Sequence, residues 1–220
     1  MKKILKAFCA LSLVLAIAVA ALSCGRGGGT ETTASTSESS TSSDTSGSTS
    51  ASENVGGSDI NNSALELLKS IWALYSEDEK FYAIGGDMDN LSYDGPGAYS
   101  LEDAEALKGA LSFPKELIGK IDSAASLVHG INTNNFTCGV FRFKDASEIS
   151  GAITSMKKSI LSTQWICGFP NHFFIITVPG NYVISIWGNI DENMDYITEF
   201  KNKVIDNISG AAVAVSEPIV

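Results

Sequence analysis

The sequence predicts an α+β fold in which an antiparallel sheet is covered on one face by helices. Three observations carry this. β-rich runs at residues 125–131 and 136–143, and again at 172–178 and 182–187, flank the turn segments Asn132-Thr133-Asn134-Asn135 and Pro179-Gly180-Asn181, so each pair reads as a hairpin. Each hairpin precedes apolar residues at helical spacing: Ile149, Ile153, Met156 and Ile160 after the first, Ile197, Phe200 and Val204 after the second. A displacement of 44 positions carries Asp145 to Asn189, Glu148 to Glu192, Ile153 to Ile197, Met156 to Phe200 and Ile160 to Val204, so a strand-strand-helix unit looks duplicated. Coincidence is the rival, because capped helices often follow hairpins.

The globular domain spans residues 61–209, a length typical of one core. Its first helix opens on Ser63-Ala64-Leu65-Glu66, a capping box whose serine and glutamate satisfy free amides. Ala64, Leu67, Leu68, Ile71, Trp72 and Tyr75 then recur on one face. Residues 81–84 read as a short strand leading into turns at Gly85-Gly86-Asp87 and Asp94-Gly95-Pro96-Gly97. A second helix starts at residues 100–103 and carries Leu101, Ala104, Leu107 and Leu111 on one side. Pro114 suits the first turn of a brief one through Ile121.

In the first hairpin, a turn centred on the Asn-rich segment sets His129 opposite Cys138. The Asp145-Ala146-Ser147-Glu148 and Asn189-Ile190-Asp191-Glu192 segments have the shape of helix caps. Residues 210–220 form a small, apolar tail, either an edge strand or loose.

Ahead of the domain, Lys2, Lys3 and Lys6 precede the uncharged apolar run 7–22 and Ser23-Cys24, the regions of a secretory signal peptide over residues 1–23. Ordinary cleavage after Ala18-Val19-Ala20 is one alternative, and an uncleaved anchor helix another, since the run is just long enough to span a bilayer. Residues 24–60 are mostly Ser, Thr and Gly, too poor in apolar side chains to offset ordering entropy, and read as a disordered tether with a span of roughly 30 Å.

The chain carries a formal charge of −10, with 15 basic and 25 acidic residues. Removing the leader takes three lysines and no acid, leaving −13. Such a surface repels phosphates and anionic lipid headgroups, so neither nucleic-acid binding nor a polybasic membrane patch is expected.

Ala21-Leu22-Ser23-Cys24 resembles the lipobox of bacterial lipoproteins, in which the cysteine receives a diacylglycerol; Ala21 stands where that pattern prefers leucine. Two further features are Trp72 and Tyr75 on the first helix and the Gly85-Gly86-Asp87 turn. With Trp165-Ile166-Cys167-Gly168-Phe169-Pro170 before Gly180-Asn181-Tyr182-Val183, the layout is similar to small uncharacterised lipoproteins of Gram-positive anaerobes. The resemblance implies a membrane address through lipidated Cys24 and no particular activity. Acyl chains contribute about 0.8 kcal/mol per methylene, so two or three hold a protein stably at a membrane surface.

Cys138 and Cys167 remain in an exported domain, where a disulfide is chemically permitted and would stabilise by roughly 3–4 kcal/mol. With His129 and His172 they also make a zinc-type donor set, though without tight cysteine spacing. A papain-like Cys/His pair lacks its local sequence. Asp87, Asp89, Asn90 and Asp94 are candidate calcium ligands, against which Leu91 and Ala98 break the EF-hand pattern. A turn whose aspartates hold backbone amides is the competing reading. Trp72, Trp165 and Trp187, with Phe169, Phe173 and Phe174, are either core or the lining of a groove for peptide or sugar.

The expectation is a lipid-anchored cell-envelope domain facing outside the cytoplasm. It would act as a non-catalytic binding or accessory module for an envelope protein or small ligand, with no cofactor and no assigned catalytic residue. The alternative is an extracytoplasmic hydrolase, metal-assisted or cysteine-dependent.

Overall fold

The computed structural model describes residues 63–166, 168–192 and 195–220, all within the compact unit Ala51–Val220. The leader, Cys24, the tether and Cys167 lie outside the described residues. Ser63 Oγ accepts the Glu66 amide at 3.2 Å, and α1 (Ala64–Trp72) buries Ala64, Leu67, Leu68, Ile71 and Trp72, with Tyr75 continuing the stripe. A 3.6-residue period puts these side chains on one face.

The strands are β1 (Ala83–Gly85), β2 (Ser92–Tyr93), β3 (Gly97–Tyr99), β4 (Ile121–His129), β5 (Phe136–Phe143), β6 (His172–Val178), β7 (Tyr182–Gly188) and β8 (Ala212–Pro218). They pair antiparallel in the order β2-β1-β4-β5-β7-β6-β8, with β3 also on β4. Three more helices, α2 (Ala104–Leu111), α3 (Ile149–Leu161) and α4 (Tyr196–Asn207), and a 3-10 turn at Lys115–Lys120 complete the α+β architecture.

The helices cover both faces of the sheet, not one. Leu127, Cys138, Ile176 and Ile184 point into a core shared with α1 and α4, while Phe141, Phe173, Ile175 and Val183 point into a second core with α2 and α3. The reason is visible in β7, Tyr-Val-Ile-Ser-Ile-Trp-Gly, in which every position is buried. A strand with both parities buried needs a cover on each side. A fully buried Phe or Leu contributes about 1.5–3 kcal/mol, and both cores are built of such residues.

This arrangement also corrects the duplication. Strand-strand-helix does recur as β4-β5-α3 and β6-β7-α4, but α3 packs in the second core and α4 in the first. A two-fold axis exchanging the antiparallel neighbours β5 and β7 runs normal to the sheet and would leave both helices on one face. The matching stripes are therefore similar helices in different places.

The first hairpin is displaced by two residues from its expected register. Leu127, not His129, faces Cys138. The Asn135 amide does bond the Asn132 carbonyl at 3.0 Å, but Gly130 and Ile131 also leave β4, and these two extra loop residues move the hairpin centre toward the amino terminus. The second hairpin forms as expected, with Gly180 and Asn181 at φ of 88° and 67° in the turn. α4 starts later than the Asn189 cap shape suggests: Asp195 is its cap, accepting the Thr198 amide at 3.0 Å. The carboxyl-terminal tail is the edge strand β8, hydrogen-bonded to β6.

The amino-terminal strands share a tight junction. β1 pairs with Val128 and His129 and β3 with residues 124–126, so the two short strands lie end to end along one side of β4. They meet at Gly85 and Gly97, where a Cβ on Gly85 would stand 2.2 Å from the Gly97 nitrogen. Only glycine permits that approach.

Candidate functional site

His129 and His172 sit at the same end of the sheet, on the α1/α4 face, but on β4 and β6, with β5 and β7 between them. Three strand spacings put them about 14 Å apart. The His129 ring stacks on Phe81 at 5.5 Å between centroids, and its Nδ1 accepts the Ile131 and Asn132 amides at 3.3 and 3.2 Å. Burial lowers its pKa. His172 Nε2 lies 3.1 Å from Ser216 Oγ, and burial lowers its pKa too.

Cys138 is a free, fully buried thiol whose pKa burial pushes up, so it is neither an available thiolate nor a ready ligand. With Cys167 outside the described residues, His129, Cys138 and His172 do not converge. No group of three or more potential metal ligands forms among the described residues.

The acidic turn works as a clasp. Asp87 Oδ1 accepts the Asp89 and Asn90 amides and Asn90 Nδ2 at 3.1, 2.9 and 2.8 Å, and Oδ2 accepts the Ser100 amide. Partial burial opposes its charge, but these donors outweigh it and hold the carboxyl below its usual range. Asp94, at φ 62°, serves through its backbone: its carbonyl accepts Trp72 Nε1 at 3.4 Å.

The aromatic candidates separate by face. Trp72 and Phe174 fill the α1/α4 core, and Phe173 and Trp187 the other. Phe169 is 72% exposed and Ile166 91% exposed. Trp165 is half-buried and packs against Trp187, ring centroids 5.9 Å apart.

Trp165, Ile166 and Trp187 belong to a cleft of about 420 Å³ on the α2/α3 face, where Ser126, Val128 and Thr137 form a floor with Trp187. The loop after α3, from Thr163 to Ile166, makes one wall, and Tyr99 with the end of α2 makes another; Thr133 and Asn134 stand at the rim. Its hydroxyls are held in place. Ser126 Oγ accepts the Gly86 amide at 2.9 Å, Thr137 Oγ1 donates to the Thr133 carbonyl at 2.8 Å, and Ser112 Oγ and Thr163 Oγ1 lie 2.9 Å apart. Ser112 adopts φ 49° as the carboxyl-terminal cap of α2, which turns the chain there. Each hydroxyl retains hydrogen-bonding capacity beyond its internal partner.

No Asp, Glu, Lys, Arg, His or Cys lines this cleft among the described residues. What remains is indole, phenol, hydroxyl and amide, a set suited to holding an uncharged polar molecule. Trp165 and Trp187 are the parts of the cleft legible in the sequence. Ser126, Thr133, Asn134, Thr137 and Gln164 come from separate segments without a motif, and only the register and turn geometry bring them together. No protein-family model, curated protein or solved structure matches the chain.

Proposed function

We propose that this chain is a non-catalytic, extracytoplasmic binding module. Its anchor is an acylated Cys24 reached through the tether at residues 24–60, and its cleft holds an uncharged, hydroxyl-rich ligand, a saccharide. The observation that carries the ligand class is the lining: in a chain with 40 charged residues of 220, the cleft has none among the described residues. Hydroxyl and amide side chains both donate and accept, as sugar hydroxyls do, and an indole supplies a flat apolar surface for a sugar ring. The volume lies within the range of small-molecule sites. The lipid anchor rests on the lipobox-like Ala21-Leu22-Ser23-Cys24 and the lysine-led apolar leader. The hydrolase alternative draws on His129, Cys138, Cys167 and His172; the binding reading is preferred because the two histidines stand on strands separated by β5 and β7 and Cys138 is buried within β5, while Cys167 lies outside the described residues.

The test uses full-length protein in a polyoxyethylene detergent, titrated with chitotriose and with maltotriose while tryptophan emission is followed. At least one should shift the emission saturably, and Trp165→Ala should weaken that binding by about tenfold or more, ~1.4 kcal/mol. Absence of any saturable change with either sugar at millimolar concentration removes the saccharide reading. Full extraction of the untreated native protein into the aqueous phase removes the anchor.

A further inference from the structure

The basic side chains form an uneven pattern. Arg142 and Lys69, Lys80, Lys115, Lys120, Lys157 and Lys203 each pair with a carboxylate. Lys144 Nζ donates to the Gly119 carbonyl at 2.9 Å, and Lys201 Nζ lies 5.6 Å from the centre of the Phe174 ring. Among the described residues this leaves Lys108 and Lys158 without a partner, in a chain where acids outnumber bases 25 to 15.

Both line the same recess, about 320 Å³, between α2 with its following 3-10 turn and α3. Lys115 joins them there. On α3 and its carboxyl-terminal cap, Ser155, Lys158, Ser159 and Ser162 also line it, and their spacing of three, four and seven makes one helical stripe.

We infer that this recess is a site for a phosphoryl group, separate from the cleft and independent of its ligand. Lys115 is already paired with Glu105, but Lys108 and Lys158 face the recess with no carboxylate partner among the described residues, and a bound anion reverses the cost of like charges brought together. The ammoniums and hydroxyls approach from two helices, so they suit an oxyanion with three or four acceptor oxygens better than a carboxylate with two. Glu116 also lines the recess and works against an anion, which favours modest affinity. A plainer account is that Lys108 and Lys158 each lie in the last turn of a helix and complement its dipole. That explains each lysine on its own helix, but not the shared recess or the hydroxyl stripe.

The experiment titrates full-length protein in nonionic detergent with inorganic phosphate and with glycerophosphoglycerol, each against chloride at constant ionic strength, following backbone amide shifts. Saturable shifts are expected at Lys108, Ser155 and Ser159, and the double variant Lys108→Gln/Lys158→Gln should weaken binding by about tenfold. The control Lys144→Gln/Lys201→Gln removes the same charge elsewhere and should leave affinity unchanged. Tighter binding of the diester assigns the source to a lipid headgroup or phosphodiester polymer; tighter binding of phosphate assigns it to a free or terminal phosphate. The inference is overturned if neither anion acts differently from chloride, or if both double variants lose affinity equally. It is also overturned if the recess lysines change melting temperature by the same amount with and without phosphate.

Discussion

His129 shows how a residue with catalytic potential becomes structural. Its Nδ1 is occupied by two backbone amides that close the first hairpin, and protonating that nitrogen would break both bonds. Burial holds its folded pKa below that of the unfolded chain, and His172 is shifted the same way. Between those values the unfolded state binds more protons, so stability rises with pH. The stabilising contribution is present at neutral pH and lost as pH falls below the ordinary histidine value and through the lowered one. Urea unfolding between about pH 7.5 and 5.5 should show that loss, and His129→Asn, which keeps an acceptor near Nδ1, should reduce the slope. An unchanged slope in the variant would mean that other groups set it. Cys138 behaves similarly: sequence spacing could pair it with Cys167 or a histidine, whereas its position inside β5 aims it into a dry core.

At the scale of elements, legibility tracks periodicity. α1 and its Ser63 cap, the α3 and α4 stripes and the Pro179-Gly180-Asn181 hairpin are readable because repeat and turn chemistry agree there. β2 and β3 are not, since strands of two or three residues have no period to detect. Helical spacing also reports which side of a helix is buried, not which face of a sheet receives it; the sign of two covers is that consecutive positions are apolar in β6, at Phe173 to Ile176, and in β7, at Tyr182 to Ile184. The cleft is hidden for the same reason, because its walls are set by that second layer. The Gly85-Gly86-Asp87 turn is visible, but its purpose is not. Gly85→Ala would drive a methyl into the Gly97 backbone, and a loss of about 3 kcal/mol or more is expected in chemical denaturation, beyond an ordinary surface change. A loss under about 1 kcal/mol would show that the junction can relax.

Across the whole molecule, the sheet is closed at one end by β8, whose Val215 and the following Ile219 pack on the second core. Removing residues 212–220 takes away that packing and uncovers the backbone edge of β6. A lower melting temperature and concentration-dependent association should result, measured by calorimetry and light scattering, because an unpaired strand recruits another chain. A truncated protein that stayed monomeric with its original melting temperature would assign β8 no such role. The cleft and the lysine recess are neighbours across the ends of α2 and α3: Lys108 precedes Gly109, Ser162 precedes Thr163, and Ser112 bonds Thr163 between them.

The start of α1 gives this layout a direction. The Ala64 amide bonds Ser123 Oγ at 3.0 Å, near the beginning of β4, whereas the cleft gathers around Val128 and the loop beyond it. Five residues of strand, about 17 Å, lie between. The entry to α1 and the mouth of the cleft therefore lie toward opposite ends of β4, so a bulky group attached at Ser63 would leave the mouth unobstructed.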